Sequence, residues 1–415
     1  MTVTEQTAAG PAVPEEARAE TTLFAGGLTG PAVDAFRART RDAIAQTVLP
    51  HVEDAEAAGL FPREAYRGFA GTGLVRERWA GAGDTGKGMI IAEEMGRAGC
   101  GGVAVGISLT METVAAALRR YGGAAHGTTL QDVLDGRSVG CFGASEPAGG
   151  SDLNGLRTTA TRVPEGWHVR GEKKYLSLGR VADFALLLCR MEEENQGSLA
   201  PLGLFLVPGT ALRTVKPLTK VGTSSLDTTW MSVDTVVPHE AIVGRPGLGL
   251  AVASWALSHE RLAVAAQVAG VAGRAIGLAT AHLHRREQFG VRLIEHQALR
   301  LRLAELASEL AVLRFAVYGA AAAGPGGCGI RETAAIKVTA VRFAERVTSE
   351  CMHLFGGPGY LEDETPMARM WRDVRLGRLG GGSDEMMWEL VAGGLVPDIA
   401  EYDRTVDTSC GEVTA

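Results

Sequence analysis

The sequence predicts an α+β protein in three parts: an N-terminal helical domain, a small β-barrel-like domain and a C-terminal four-helix bundle. Three observations carry this. Residues 30–138 show apolar residues at helical spacing between glycine and proline stops. Residues 139–238 change to short Thr- and Val-rich or alternating runs. The stretch 247–290, GLGLAVASWALSHERLAVAAQVAGVAGRAIGLATAHLHRREQFG, has no proline and is almost all apolar or small until His282, so it reads as one long buried helix that opens a helical region.

The elements follow in order. Residues 1–29 are rich in Ala, Thr, Glu and Pro and read as a disordered extension without a secretory signal. AVDAFRARTRDAIAQTVLPHV is an amphipathic helix up to Pro50; Pro62 marks another helix start; MIIAEEMGRAG and SLTMETVAAALRRYGG follow with glycine stops. VGCFGA, LRTTATRV, GWHVRGEKKYLSL, DFALLLCRM, LGLFLVPG, LRTVKPL and TTWMSVDTVV read as strands of the 139–238 domain, punctuated by Gly, Pro, Asn and Ser. In the 239–396 region, helices are expected over 247–288, 293–323, 330–354 and 383–395, with Gly324-Pro325-Gly326-Gly327 as a break and Gly290 as a stop. Residues 397–415 read as a loose tail.

Composition excludes some functions. The net charge is -7 and no Lys/Arg-rich run is present, against a nucleic-acid binder. No run reads as a membrane span, because His259, Glu260 and Arg261 interrupt the longest one. The six cysteines are scattered without CxxC or Cys/His metal spacing, which predicts reduced thiols, no metal and a cytoplasmic location.

Several motifs could carry chemistry. Gly81-Ala82-Gly83-Asp84-Thr85-Gly86-Lys87 fits GxxxxGK, but Val75–Trp79 before it does not read as a strand and Gly88 stands where a phosphate loop needs Ser or Thr, so it reads as loop punctuation. Ala144–Asp152, ASEPAGGSD, packs hydroxyls and a glycine pair into a turn after a strand, which lets backbone N–H groups approach a planar or anionic ligand. Glu260-Arg261 is the first charged pair inside the apolar helix. Arg286 closes that helix, roughly 39 Å from Glu260 along the axis, so one small ligand does not reach both. His259, His282 and His284 read as helix-surface or interface residues.

In order along the chain, ASEPAGGSD, Lys173-Lys174-Tyr175-Leu176-Ser177, Arg286–Gly290, Glu295-His296-Gln297-Ala298, Phe355–Tyr360, Arg372-Asp373-x-Arg375 and Gly380–Glu385 are similar to the motifs of the acyl-CoA dehydrogenase family. The resemblance covers about residues 30–396 and makes the fold class acyl-CoA dehydrogenase-like. It implies FAD. Phe142, Ala144, Ser145, Gly150 and Ser151 would border the flavin ring and ribityl chain, with Tyr175, in place of the usual Trp, and Ser177 on the ring's other side. Arg286 and Phe289 would meet a neighbouring subunit's FAD; His353 (commonly Gln), Gly356, Gly357, Ser383 and Glu385 would complete the site. Ser151, Arg261 and Gly381 would contact substrate.

The family's usual base, a Glu before the terminal glycine turn, is Gly381 here. A minority of the family places the Glu on the long helix directly before an Arg, and Glu260-Arg261 matches that. The resemblance implies α,β-dehydrogenation of an acyl thioester, on CoA or on a carrier protein, with Glu260 taking the α-proton. It also implies an electron-transfer flavoprotein or similar acceptor and a homo-oligomer, tetramer or dimer. Two alternatives keep the fold: a flavin-dependent monooxygenase, which also lacks the terminal Glu, and a non-catalytic relative. Thr223 and Ser224 stand where the family carries an arginine, marking a changed substrate entrance.

Overall fold

The computed structural model describes residues 29–192, 201–323 and 328–406. The extension expected over 1–29 lies, but for its last residue, outside them, as do the Gly324–Gly327 break and the end of the tail.

The first part is helical: α1 Pro31–Thr47, α2 Val52–Ala58, α3 Arg63–Gly71, α4 Leu74–Arg78, α5 Thr85–Ala98, α6 Gly101–Ser108, α7 Ala115–Tyr121 and α8 Gly127–Leu134. α4 is the segment that failed to read as a strand. The Gly81–Lys87 run is the turn before α5, where the Asp84 side chain accepts from Lys87 N. α6 and α7 are joined without a break by a π-helical turn, Leu109–Val114. Such insertions frequently stand at functional sites.

All seven expected strands form: β1 Gly140–Gly143, β2 Thr159–Val163, β3 Gly166–Ser177, β4 Phe184–Glu192, β5 Leu202–Pro208, β6 Leu212–Pro217 and β7 Thr228–Val237. They make one curled sheet in the order β1-β4-β2-β3-β7-β6, with β5 on the other side of β4. β3 and β7 pair antiparallel with a bulge between Lys174 and Leu176, which leaves Tyr175 out of the ladder.

The last part is built on α9 Gly249–Arg285, a helix of 37 residues. With α10 Gln297–Ala322, α11 Ile330–Phe355 and α14 Asp384–Ala392 it forms the four-helix bundle. Several details differ from expectation. α9 stops at Arg285 because Arg286 is extended; Glu287–Gln288 (β8) and Val291–Arg292 (β9) then pair as a hairpin whose turn residues, Phe289 and Gly290, have φ of 54° and 79°. Gly290 is thus a hairpin glycine, not a helix stop. Between α11 and α14, Gly357–Tyr360 (α12) and Met367–Val374 (α13) add helices that the sequence pattern did not announce. The tail is not wholly loose: Ile399–Thr405 forms the exposed helix α15, capped by Asp398 accepting from Glu401 N.

Two helices, Gly101–Tyr121 and Gly249–Arg285, are long and apolar enough to cross a membrane by length and composition, contrary to the expectation that no run would be. Their most apolar windows are 89% and 56% buried inside the protein, as core helices are.

α9 crosses α5 at very short range. A Cβ added at Gly96 would stand 2.0 Å from the Gln267 carbonyl oxygen, and one at Gly270 would stand 2.0 Å from that of Glu93. Both contacts are backbone, so a side chain forces the helices apart. Gly270→Ala is expected to cost about 1–3 kcal/mol, the usual range for overpacking; the shift in the urea unfolding midpoint measures it.

Candidate active site

Glu260 lies half-buried on α9 where it meets the π-turn. Thr113 Oγ1, on that turn, donates to Glu260 Oε2 at 2.9 Å. Burial pushes the Glu260 carboxyl above the usual carboxylate range, and the Thr113 hydroxyl, the Arg261 charge and the Lys337 charge offset this only in part.

The Gly380–Gly382 turn folds over the same point. Arg261 Nε donates to the Gly381 carbonyl at 2.9 Å, and Lys337 Nζ donates to that of Gly382 at 2.6 Å. Lys337 has no exposed surface, and desolvation pushes its ammonium down to about 8. Gly381 has φ of 67°, and a Cβ built there would stand 3.6 Å from Glu260 Oε1. The position that lacks a carboxylate and the residue expected to replace it therefore point at one place.

A cavity opens beside Glu260, with about 960 Å³ of atom-free space including its mouth. Glu260, Val264, Gln267, Val268, Val271 and Arg274 of α9 form one wall. Gly96 of α5, Gly101 and Val105 of α6, Leu109 of the π-turn and Met370 and Val374 of α13 form much of the rest, Arg369 and Asp373 of α13 add charge, Ser177 stands at the β-domain side, and Thr223, with φ of 51°, borders the space.

On the β side, the ASEPAGGSD turn is pinned from below. The buried Glu146 carboxylate accepts from Arg157 N at 2.7 Å, Thr158 N at 2.9 Å and Lys173 Nζ at 2.8 Å. These donors hold its carboxyl below the usual range despite burial. Lys173 Nζ also donates to the Ala144 carbonyl at 3.1 Å, and Lys174 N to that of Ser145 at 3.1 Å. A Cβ at Gly150 would come within 2.9 Å of Ser145 Oγ, so glycine keeps the turn tight. Ser145, Phe142 and Ala144 are half-buried and Ser151 is exposed. Tyr175, at φ of 64° on the bulge, holds its ring 62% exposed.

One chain does not bring all the expected site residues together. Ser383, the N-cap of α14, and the exposed Glu385 sit beside the Gly381 turn. Arg286, Phe289, His353, Gly356 and Gly357 cluster instead at the far ends of α9 and α11, where the His282 and Phe355 rings stack at 4.4 Å. Phe289 is 94% exposed. Neither Gly356 nor Gly357 has a neighbour within 4 Å of an added Cβ.

Comparison with known proteins agrees with this arrangement. Residues 31–131, 141–236 and 247–396 match the N-terminal, middle and C-terminal domains of acyl-CoA dehydrogenases. The chain belongs to the acyl-CoA dehydrogenase family. It is 44% identical over 363 residues to the acyl-[acyl-carrier-protein] dehydrogenase MbtN of Mycobacterium sp. (strain MCS), covering 86% of this chain and 92% of that one. It is 30% identical to the short-chain specific acyl-CoA dehydrogenase of Megasphaera elsdenii, covering 84% and 94%. The solved structure of butyryl-CoA dehydrogenase from Megasphaera elsdenii superposes with a TM-score of 0.82 at 26% identity, covering 89% and 99%. These relatives favour acyl-thioester dehydrogenation over the monooxygenase alternative.

Sequence reasoning missed Thr113, Lys337 and Glu146, which hold the candidate groups in place. The pattern did offer one signal: Thr110, Glu112 and Thr113 are polar residues inside an otherwise apolar helix, and each is fully buried. His259 corrects an expectation. It is buried, not at the surface, because its face of α9 packs on Trp79 and on the Arg78–Glu112 ion pair.

Lys173→Met is expected to destabilise the protein by about 3–5 kcal/mol, because it leaves the Glu146 charge buried without its cation. Adding Glu146→Gln should recover part of that loss, and thermal unfolding of both variants measures it.

Proposed function

We propose that the protein is a flavin-dependent dehydrogenase of long-chain acyl thioesters carried on a carrier protein, with Glu260 as its base. The observation that carries this is the placement of Glu260: a carboxylate of raised proton affinity, 3.6 Å from where the Cβ of residue 381 would stand, at the head of an apolar cavity. Removing an α-proton from a thioester needs a base close to Cα and shielded from water. Thr113 holds one carboxylate oxygen and leaves the other toward the cavity. The Gly381 and Gly382 carbonyls are occupied by Arg261 and Lys337, while the Gly381 N–H donates to no described group. That N–H is available to the thioester carbonyl, whose polarisation acidifies Cα.

FAD fits the cradle of Phe142, Ala144, Ser145, Gly150, Ser151, Tyr175 and Ser177: the tight glycine turn leaves room for a flat ligand, and the bulge holds an aromatic ring out toward it. When bound, FAD supplies the two-electron acceptor for the β-hydride. Arg286, Phe289, His353, Gly356 and Gly357 lie too far along α9 and α11 for this cradle and would serve the cofactor of a second copy, in a homo-oligomer. An electron-transfer flavoprotein or similar acceptor would reoxidise the enzyme. The five described cysteines are all free, which fits a cytoplasmic location.

The acyl chain is read from the cavity. Its α9 wall runs from Glu260 to Arg274, 14 residues or roughly 21 Å. That exceeds a stretched chain of about twelve carbons at bond lengths near 1.5 Å. The 44% identity to a carrier-protein-dependent dehydrogenase supports a carrier protein over CoA.

Anaerobic titration of the flavin-loaded protein tests the reading. Long-chain acyl-carrier protein should bleach the flavin, short-chain acyl-CoA should bleach it poorly, and Glu260→Gln should slow bleaching by about 10²–10⁴-fold. Bleaching that survives in Glu260→Gln would remove Glu260 from the role. The double variant Glu260→Gly/Gly381→Glu should regain part of the rate, since both positions address one point.

The pH profile follows from the raised Glu260 proton affinity. The rate should climb with pH as Glu260 ionises, with an apparent midpoint above that of an ordinary Glu. Thr113→Val removes a donor to the anion and should move that limb higher still. A carboxyl raised in the folded state gives stability that is lost as pH rises through its folded pKa. Glu260→Gln is therefore expected to melt at a higher temperature than the native protein at neutral pH.

A further inference from the structure

A second cavity lies on a different face of α9. Trp255 and His259, one turn apart, face it, whereas Glu260, Val264 and Gln267 face the acyl cavity. Trp79, Trp255 and His259 form its walls, with ring centroids 5.7 Å apart for Trp79–His259 and 5.1 Å for Trp255–His259. Arg78 is part of the inner lining, and Arg119 and Arg120 stand at its exposed rim. The Arg78 and Arg120 guanidiniums each stack 4.0 Å over a tryptophan ring, Trp79 and Trp255 respectively.

The charges here are not balanced. Arg78 has no exposed surface. Its Nε and Nη2 donate to Glu112 at 2.9 and 2.8 Å, and Nη2 lies 3.3 Å from His259 Nδ1. Its Nη1 is buried with no hydrogen-bond partner. A buried donor left without an acceptor is costly, and native structures rarely keep one without a reason. Burial pushes His259 down to about 4, so the ring is neutral near pH 7. Among the described residues, Arg119 and Arg120 have no carboxylate partner; Arg119 donates to the Gly81 carbonyl. No acid lines the cavity among the described residues, and the two oxygens of Glu112 accept from Arg78. Two uncompensated cations thus stand at the rim of the cavity, above a buried guanidinium nitrogen.

We propose that this cavity binds a phosphoryl group, free or as part of a larger ligand, with the Arg119 and Arg120 guanidiniums as its donors and the buried Arg78 guanidinium beneath them. Two uncompensated cations match a phosphoryl dianion, whereas a carboxylate brings one charge. Guanidinium groups match phosphate oxygens in geometry. The tryptophan walls can seat an apolar or planar group attached to the phosphate. The Gly81-Ala82 backbone borders the same cavity. The glycine run that fails as a phosphate loop, for want of a strand, thus stands beside arginines suited to the same anion.

The test is titration of the flavin-loaded protein with inorganic phosphate at constant ionic strength, followed by tryptophan fluorescence and calorimetry. Saturable binding is expected, weakened about tenfold or more in Arg119→Ala/Arg120→Ala, as loss of charged hydrogen bonds implies. The calorimetric signal should persist in Trp255→Phe while the fluorescence change shrinks. Acetate at matched ionic strength should give no saturable response. Absence of phosphate binding, binding unchanged in the double arginine variant with native circular dichroism, or equal binding of acetate would each overturn the assignment. Phenyl phosphate separates the two sources: tighter binding than inorganic phosphate assigns the site to a phosphate ester, weaker binding to the free ion.

Discussion

The close crossing of α5 and α9 is the constraint from which the rest of the structure follows. Gly96 and Gly270 let each helix lay a backbone carbonyl against the other, and nothing larger than hydrogen fits at either place. The crossing fixes the N-terminal helices on the bundle without an intervening layer. It also directs Glu93 into a buried network in which Arg37, Arg314 and Tyr318 converge on one carboxylate. α1, α5 and α10 are thereby tied at a point where a lost partner strands a buried charge. The cavity beside Glu260 begins at this crossing, where Gly96 and Gln267 line it.

Two carboxylates, Glu146 and Glu260, are treated in opposite ways. Glu146 receives two backbone N–H groups and an ammonium, and is held ionised. It is structural, a peg under the cofactor turn. Glu260 receives a single hydroxyl, while the two cations near it, Arg261 and Lys337, spend hydrogen bonds on the carbonyls of the glycine turn. Burial raises its proton affinity, and these few donors do not offset the rise. The same amino acid is a peg at one place and the proposed base at the other, according to its burial and the donors the fold assigns to it.

Much of this was legible in the sequence. The seven strands were marked by their alternation and by the turn residues between them. Glu260 was marked by its apolar flanks, since a carboxylate is rarely kept in such a run without a use. Other features were hidden for physical reasons. The 287–292 hairpin was obscured because Gly290 serves a hairpin turn as well as a helix end, and local sequence does not separate the two. Thr113 and Lys337 reach Glu260 from about 147 and 77 residues away in the chain, a relation that only tertiary packing creates. His259 was misplaced because a lone polar residue next to a charged pair looks solvated until its neighbours across the helix interface are known.

The π-turn at Leu109–Val114 gives the chain an unusual sensitivity to its own length. It carries Glu112 and Thr113, which face Arg78 and Glu260 respectively. An α-helix turns about 100° per residue. Losing one residue there would restore a regular helix and swing both side chains off their partners by that angle, with composition and hydrophobicity scarcely altered. Along a lineage of such sequences, this stretch would tolerate exchange of apolar residues readily and reject insertions and deletions, the reverse of the tolerance seen in a surface loop.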